Sequence, residues 1–173
     1  MIKKNSIFEI RLAKIGEASA ISDILYHSFI EYKPLYTDKA FTVTTLSVHE
    51  IENRIYKSIV WIALYNNVIA GTISIMPDGD ALFIKSMAVS PIVRRKGLGK
   101  ELIRHAIEIA EKEEAKYLEL TTTTFLYEAI RLYELFGFEQ YGYEDLYGTT
   151  LIKLKKNLKA MSISLMKKIH SDQ

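Results

Sequence analysis

The sequence predicts one domain of the α/β or α+β class. A single mixed sheet of about seven strands, mostly antiparallel, is flanked by about four helices. Its 173 residues suffice for one ordinary domain and are few for two. Hydrophobic residues make up 49% and charged residues 25%, as in globular proteins. The spacing of apolar residues along the chain predicts the elements in the order strand, two helices, three strands, helix, strand, helix, two strands.

The first quarter of the chain is predicted to form a strand and two helices. Residues Ile7 to Leu12 alternate apolar and polar side chains, which indicates a strand with one buried face. Helical spacing of apolar residues predicts a helix over Glu17 to Tyr32. A serine cap precedes a second helix over Val48 to Ile59. The aromatic segment Glu31 to Asp38, which a proline interrupts, is predicted to be a loop.

Three strands are predicted to follow, joined by short turns. Val60 to Tyr65 and Val68 to Met76 are rich in β-forming residues, and the two asparagines between them favour a hairpin turn. Ala81 to Val89 is almost entirely apolar, which is typical of a central strand covered on both faces.

The rest of the chain alternates helices with strands. One helix is predicted to begin near Gly97, and Gly137 ends another that covers Leu126 to Phe136. Further strands are predicted over Tyr117 to Thr121, Phe138 to Tyr143 and Thr150 to Lys155. The core of the domain is therefore expected to cover residues 1–155. The basic tail over 156–173 is expected to be part of the same domain, as a packing helix or as a contact between two copies of the chain.

Charge and cysteine content narrow the classes of function. A net charge of +2 gives no field that would attract nucleic acid or a membrane overall, so neither is expected as a partner. A role of the basic tail in such binding is the less favoured alternative. Without cysteine there is no disulfide or thiolate nucleophile, and no metal-type ligand spacing is convincing, so we expect no metal. No signal peptide and no membrane-spanning apolar run are apparent, and we expect a cytoplasmic protein.

The segment Val89 to Gly99 has the properties of an anion-binding turn. Gly97 and Gly99 have no side chains, so an anion can approach the backbone closely. The free N–H groups and the dipole at the start of the following helix would further favour binding of the anion. Positive charge at the same place comes from three adjacent side chains, Arg94, Arg95 and Lys96. A diphosphate fits this turn, and an ordinary charged surface turn is the alternative.

Two motifs of the chain resemble a known family. Val89-x-Pro91 with Arg94-x-x-Gly97-x-Gly99 resembles the signature of the GNAT superfamily of N-acetyltransferases. Ala129 to Phe138 is similar to the final helix of that family and its closing Gly-Phe. The element order from Ile7 to Lys155 also resembles the GNAT-like acyl-CoA N-acyltransferase fold. The resemblance implies acetyl transfer from acetyl-coenzyme A (acetyl-CoA), as co-substrate, to an amine.

The resemblance also implies the residues of the coenzyme site. The pyrophosphate would lie on the turn, at Arg94, Arg95, Lys96, Gly97, Gly99 and Lys100. The pantetheine arm would pair with the central strand at Met87, Ala88 and Val89. A free strand N–H near Met87 or Ala88 would polarise the thioester carbonyl. Tyr133 would donate a proton to the departing thiolate, and a core-facing aromatic side chain is the alternative.

The catalytic base and the acceptor stay open at this point. Leu126 stands where many relatives have asparagine, and Lys85 is the charged residue on the strand where many place a glutamate base. A water relay, Glu31 or Asp145 are candidate bases. Candidates for the acceptor side are Glu31, Tyr32, Tyr36, Thr37, Thr123 to Phe125, Tyr141, Tyr143, Glu144, Asp145 and Tyr147, of which a minority is expected to touch substrate. Their acidic and aromatic character favours a small cationic amine. A protein amine as acceptor and a non-catalytic acetyl-CoA sensor are alternatives.

Overall fold

The computed structural model describes residues 7–57 and 59–158. Within these ranges the chain forms seven strands and five α-helices around one mixed sheet, which confirms the predicted fold class. The strands are β1 (Phe8–Leu12), β2 (Val60–Tyr65), β3 (Val68–Asp78), β4 (Ala81–Val89), β5 (Tyr117–Thr123), β6 (Glu139–Leu146) and β7 (Thr149–Asn157). The helices are α1 (Ala18–Phe29), α2 (Asp38–Thr44), α3 (Val48–Tyr56), α4 (Leu98–Lys112) and α5 (Tyr127–Leu135).

The sheet opens between two of its central strands. Its strand order is β1-β2-β3-β4-β5-β7-β6, and all neighbours are antiparallel except β4 and β5. The parallel pairing of β4 with β5 ends at Ile84 and Leu120. Strand β5 continues beside β7 to Thr123, whereas residues 85–89 of β4 lie beyond the last β5 pair. The two strands therefore diverge and leave a gap in the sheet.

A bulge in β4 lies beside this gap. The register of β3 against β4 shifts between Thr72 and Ser74, where Ser86 and Met87 lie opposite a single residue of β3. Ser86 has a φ of 51°. Because the extra residue reverses the alternation of side chains, Ile84 and Met87 both face the same hydrophobic layer.

Helices cover both faces of the sheet. On one face, helix α4 buries its apolar stripe against the central strands, through Leu98, Leu102, Ile103, Ala106 and Ala110. On the other face, α1 and α3 pack over β2 and the end of β4, through Ile21, Leu25 and Ile51. A smaller aromatic cluster joins Tyr36 and Phe41 to Phe125, at the end of β5. Among the residues described, no helix has the length and apolar character needed to cross a membrane.

The prediction that Glu31 to Asp38 forms a loop is wrong. Residues Ile30–Leu35 form a 3₁₀ turn, and Thr37 then caps α2, its side chain accepting a hydrogen bond from the Ala40 amide at 3.2 Å. Burial of Phe41 against Tyr36 stabilises α2, and such packing is not visible in local periodicity. Helix α3 ends at Tyr56 rather than Ile59, and β5 and β7 extend beyond their predicted ends. Of the predicted basic tail, residues 159–173 lie outside the described residues.

Candidate active site

A cavity of about 720 Å³ opens where β4 and β5 diverge. Its walls are the end of β4, the turn before α4, the inner side of α5 and the end of α1. Its volume lies within the range of small-molecule sites, about 300–1,000 Å³. The cavity is therefore the candidate substrate site.

The turn before α4 presents backbone donors to this cavity. Gly97 is the residue before the first helical position, with a φ of 89° that a side chain would strain. Gly99 lies in the first turn, where an added Cβ would come within 3.1 Å of the Leu132 side chain on α5. The first N–H groups of an α-helix have no acceptor inside the helix. They therefore give this wall of the cavity the partial positive charge that anions require.

The four basic side chains around the turn have different surroundings. Arg95 and Lys100 line the cavity, and neither forms an ion pair with a described residue. Arg94 also lines it, but its guanidinium donates to the Glu31 carboxylate at 2.5 Å and to the Ser28 carbonyl at 3.1 Å.

Lys96 lies apart from the other three. Its ammonium group is 5.5 Å from the centre of the Tyr65 ring, and the residue is not part of the cavity lining. Its backbone amide donates to the Val93 carbonyl. Arg95 and Lys100 are therefore the side chains best placed to bind an anion.

Tyr133 of α5 closes the inner part of the cavity. Its side chain is buried and packs edge-on to Phe138, with ring centres 5.9 Å apart. Its hydroxyl lies 4.0 Å from the sulfur of Met87. Burial raises the pKa of Tyr133 to about 12. The phenol thus stays protonated at neutral pH, cannot act as a base, and is a weaker acid than an exposed tyrosine.

Residues 21–138 match the model of the acetyltransferase (GNAT) family. The chain belongs to the GNAT acetyltransferase family, and it is therefore an acyltransferase. The match covers the cavity walls from α1 through α5.

Individual proteins agree with this assignment. The acetyltransferase is 32% identical over 140 residues to the uncharacterized N-acetyltransferase YjgM of Escherichia coli. This match covers 77% of this chain and 83% of YjgM. It is 31% identical over 130 residues to N-acetyltransferase family 8 member 3 of mouse, where the match covers 71% of this chain and about half (54%) of the mouse protein. The crystal structure of the PaiA N-acetyltransferase from Thermoplasma acidophilum in complex with coenzyme A shares the fold, with a TM-score of 0.75 at 19% identity, over 87% of this chain and 99% of that one.

Most residues that the sequence assigned to the coenzyme lie together in the acetyltransferase. Lys96 is the exception; the rest line the cavity, namely Met87, Ala88, Val89, Arg94, Arg95, Gly97, Gly99, Lys100 and Tyr133. Leu126 lines it as well, as the residue before α5. Lys85 is exposed and does not belong to the lining.

The sequence did not reveal the wall that α1 contributes. Ser28 and Phe29 line the cavity, and the Ser28 hydroxyl donates to the Val89 carbonyl at 3.1 Å. This bond holds the end of α1 over the end of β4. In the sequence, Ser28 and Phe29 look like ordinary residues of the amphipathic helix α1. Only their contact with β4, which is distant in sequence, shows that they belong to the cavity wall.

Both carboxylates that the sequence offered as catalytic base have structural partners. Glu31 pairs with Arg94 outside the cavity lining. Asp145 accepts hydrogen bonds from the Gly148 amide with both oxygens, each at 3.1 Å, and so stabilises the turn between β6 and β7. Neither carboxylate faces the cavity.

The other acceptor-side candidates also lie outside the cavity lining, with one exception. Thr37 caps α2 and donates to the Tyr147 carbonyl, and the Tyr147 ring lies 4.0 Å from the Lys39 ammonium group. Tyr36 is buried in the aromatic cluster, and burial raises its pKa to about 12. Tyr32 is the exception, because it lines the cavity while stacking on Phe125 at 6.3 Å.

Histidine and carboxylate side chains do not cluster as metal ligands in the described part of the chain. Over residues 7–57 and 59–158 no three of them converge closely enough to hold a metal ion.

Proposed function

We propose that this acetyltransferase moves the acetyl group of acetyl-CoA to a primary amine by direct attack, with both substrates bound at once. The observation that carries the proposal is the single cavity that joins the glycine turn of α4 to the Tyr133 hydroxyl across the diverging strands. One end of that cavity offers donors for a diphosphate and the other a proton donor beside a gap in the sheet.

The turn supports a coenzyme as donor. The pyrophosphate would accept hydrogen bonds from the first N–H groups of α4, with Arg95 and Lys100 supplying charge. The absence of a side chain at Gly99 keeps the turn close to α5 and its backbone accessible. The coenzyme A complex of PaiA, which has the same fold, agrees with this donor.

Acetyl transfer then requires one bond to form and one to break. The amine nitrogen bonds to the acetyl carbon, the carbon–sulfur bond breaks, and the nitrogen loses a proton while the thiolate gains one. Tyr133 is positioned to supply the thiolate proton from the wall of the cavity. Holding both reactants in one cleft would provide much of the acceleration.

The acceptor is proposed to be a small amine. Tyr32 and Phe29 narrow the α1 side of the cavity, and Tyr32 is fixed by its stacking on Phe125. An aromatic wall of this kind suits a small molecule better than an extended peptide.

The test measures donor binding and acetyl transfer separately. Calorimetry with acetyl-CoA should show binding, and a thiol-release assay over a panel of small amines should show turnover, with the acetylated product identified by mass spectrometry. Peptides with free N-termini or lysines serve as the second panel. Binding without acetylation of any amine would contradict the enzymatic proposal and indicate a sensor, and turnover of peptides alone would contradict the small acceptor.

A further inference from the structure

Arg54 of α3 points its guanidinium at the bulge of β4. Its Nη1 donates a hydrogen bond of 2.8 Å to the hydroxyl of Ser86, the residue with the left-handed φ. Ser86 immediately precedes Met87, which lines the cavity. Adjacent Cα atoms are about 3.8 Å apart, so this guanidinium is anchored one residue from the cavity wall.

This guanidinium is only partly satisfied. Arg54 is half-buried, and burial lowers the pKa of its guanidinium. No described carboxylate lies within ion-pair distance of it. Glu50, one helical turn away, has its carboxylate held by the amide and hydroxyl of Ser47. A guanidinium has five N–H donors, and a partly buried one without an anion is costly.

The same face of the sheet carries a second cation. Leu82 and Ile84 belong to the core beneath α4, so the side chains between and after them, Phe83 and Lys85, face the other side. Lys85 is exposed, with its ammonium group 5.4 Å from the centre of the Phe83 ring. Arg54 and Lys85 thus place positive charge beside Ser86, whereas the acidic and aromatic candidates of the sequence had favoured a cationic acceptor.

We infer that the acceptor amine carries a carboxylate, which Arg54 binds. The inference rests on the proposed function and names its substrate class: amino acids and similar small amines with a carboxylate a few bonds from the nitrogen. The free edge of a guanidinium presents two parallel N–H donors that match the two oxygens of a carboxylate. Arg54 lies outside the cavity lining, bonded to Ser86 next to the gap, so a carboxylate held there would bring an amine a few bonds away toward the backbone of Met87.

The test compares amino acids with their own amides, which have the same shape without the charge. The wild-type enzyme should show kcat/KM at least about tenfold higher for phenylalanine or glutamine than for the corresponding α-amide. The α-amine of an amide is less basic and so more often neutral, which biases the comparison against this result. Equal or faster turnover of the amides would overturn the inference, as would turnover of amines that end in phosphate alone.

Substitutions then assign the effect to Arg54. Arg54→Gln should raise KM for amino acids about 10- to 100-fold, leave kcat close to wild type, and leave the parameters for the amides unchanged. Ser86→Ala, which removes the anchor of the guanidinium, should give a smaller rise in the same KM. Arg104→Gln on the exposed side of α4 is the matched control and should change neither. Equal loss for acids and amides in Arg54→Gln would show a purely structural role and overturn the inference.

Equilibrium binding separates this inference from the proposed function. With coenzyme A present, calorimetry should show an N-acetylamino acid binding to wild type more tightly than its amide, and Arg54→Gln should abolish the difference. This readout needs no turnover. Acetylation of amines without carboxylate preference would overturn the inference alone, and carboxylate-dependent binding without acetylation of any amine would contradict the proposed function alone.

Discussion

The hydroxyl of Tyr133 lies 4.0 Å from the sulfur of Met87, so α5 and the end of β4 approach each other at the inner wall of the cavity. A sulfur atom is a weak acceptor, and this contact is long for a hydrogen bond. The phenolic proton is therefore available to a better partner. Because the buried Tyr133 lines the cavity, a substrate bound there can be that partner.

Replacement of Tyr133 by phenylalanine should lower kcat about 100-fold, the low end of the usual contribution of an acid catalyst. The dissociation constant of acetyl-CoA should stay within about twofold, because the ring still packs on Phe138. Steady-state kinetics and calorimetry measure the two quantities. Tyr127→Phe, on the exposed start of the same helix, is the control and should leave both unchanged. Unchanged kcat in Tyr133→Phe would contradict the role of the phenol as acid.

Substitution of Gly97 by alanine should weaken acetyl-CoA binding. A residue with a side chain is strained at a φ of 89°, although no atom crowds the added Cβ, so the turn should shift and its N–H groups should lose their alignment. We expect about tenfold weaker binding and a loss of about 1 kcal/mol in the free energy of unfolding.

The control for Gly97→Ala is Gly79→Ala. Gly79 lies in the turn between β3 and β4 and also has a left-handed φ, 57°, with open space around its Cβ position. Gly79→Ala should lower the free energy of unfolding by a similar amount. It should not change acetyl-CoA binding, since Gly79 is not part of the cavity lining. Equal weakening of binding in both variants would show that general destabilisation, rather than the turn, is responsible.

Local sequence signals predict the residues of the proposed coenzyme half of the site. The glycine turn and the α5 motif are each contiguous in the chain, so local sequence alone predicts their residues. The rest of the site, including the proposed acceptor half, depends on contacts between distant segments, such as Arg94 with Glu31, 63 positions apart, and Arg54 with Ser86, 32 apart. Sequence periodicity reports which face of an element is buried but not which side chains meet across elements.

Removal of the Glu31 carboxylate should strengthen acetyl-CoA binding modestly. In Glu31→Gln the Arg94 guanidinium loses its acidic partner and keeps its bond to the Ser28 carbonyl, so more of its charge can act on a bound pyrophosphate. The pair is exposed, and we therefore expect only about a threefold lower dissociation constant. Calorimetry at two salt concentrations should show the gain shrinking as salt rises.

A second exposed ion pair controls for loss of a surface charge. Asp80→Asn removes the carboxylate that pairs with Lys116 at 2.5 Å, outside the cavity lining. It should leave acetyl-CoA binding unchanged. Weaker binding in Glu31→Gln would instead show that Glu31 positions Arg94 for the coenzyme.

His105 on α4 should make the fold less stable in mild acid. It packs edge-on to Trp61 with ring centres 4.4 Å apart, and its Nε2 is buried without a hydrogen-bond partner among the described residues. Burial lowers the pKa of His105 below its ordinary 6.5, although Glu108 acts weakly in the opposite direction. The unfolded chain therefore binds this proton more readily than the folded chain, and stability falls as pH drops below 6.5 toward the folded pKa.

Thermal melts of the wild type and of His105→Gln between pH 8 and pH 5 measure this effect. A difference of one bound proton between the unfolded and folded chains changes the free energy of unfolding by at most about 1.4 kcal/mol per pH unit. Because His105 is partly exposed, its contribution to this slope should be smaller. The variant should be less stable than wild type at pH 8 because its packing on Trp61 is poorer, and this difference should shrink as the pH falls. His27→Gln, exposed on α1, should follow the wild-type curve. Parallel curves for wild type and His105→Gln would contradict the prediction, because acid loss of stability would then come from other groups.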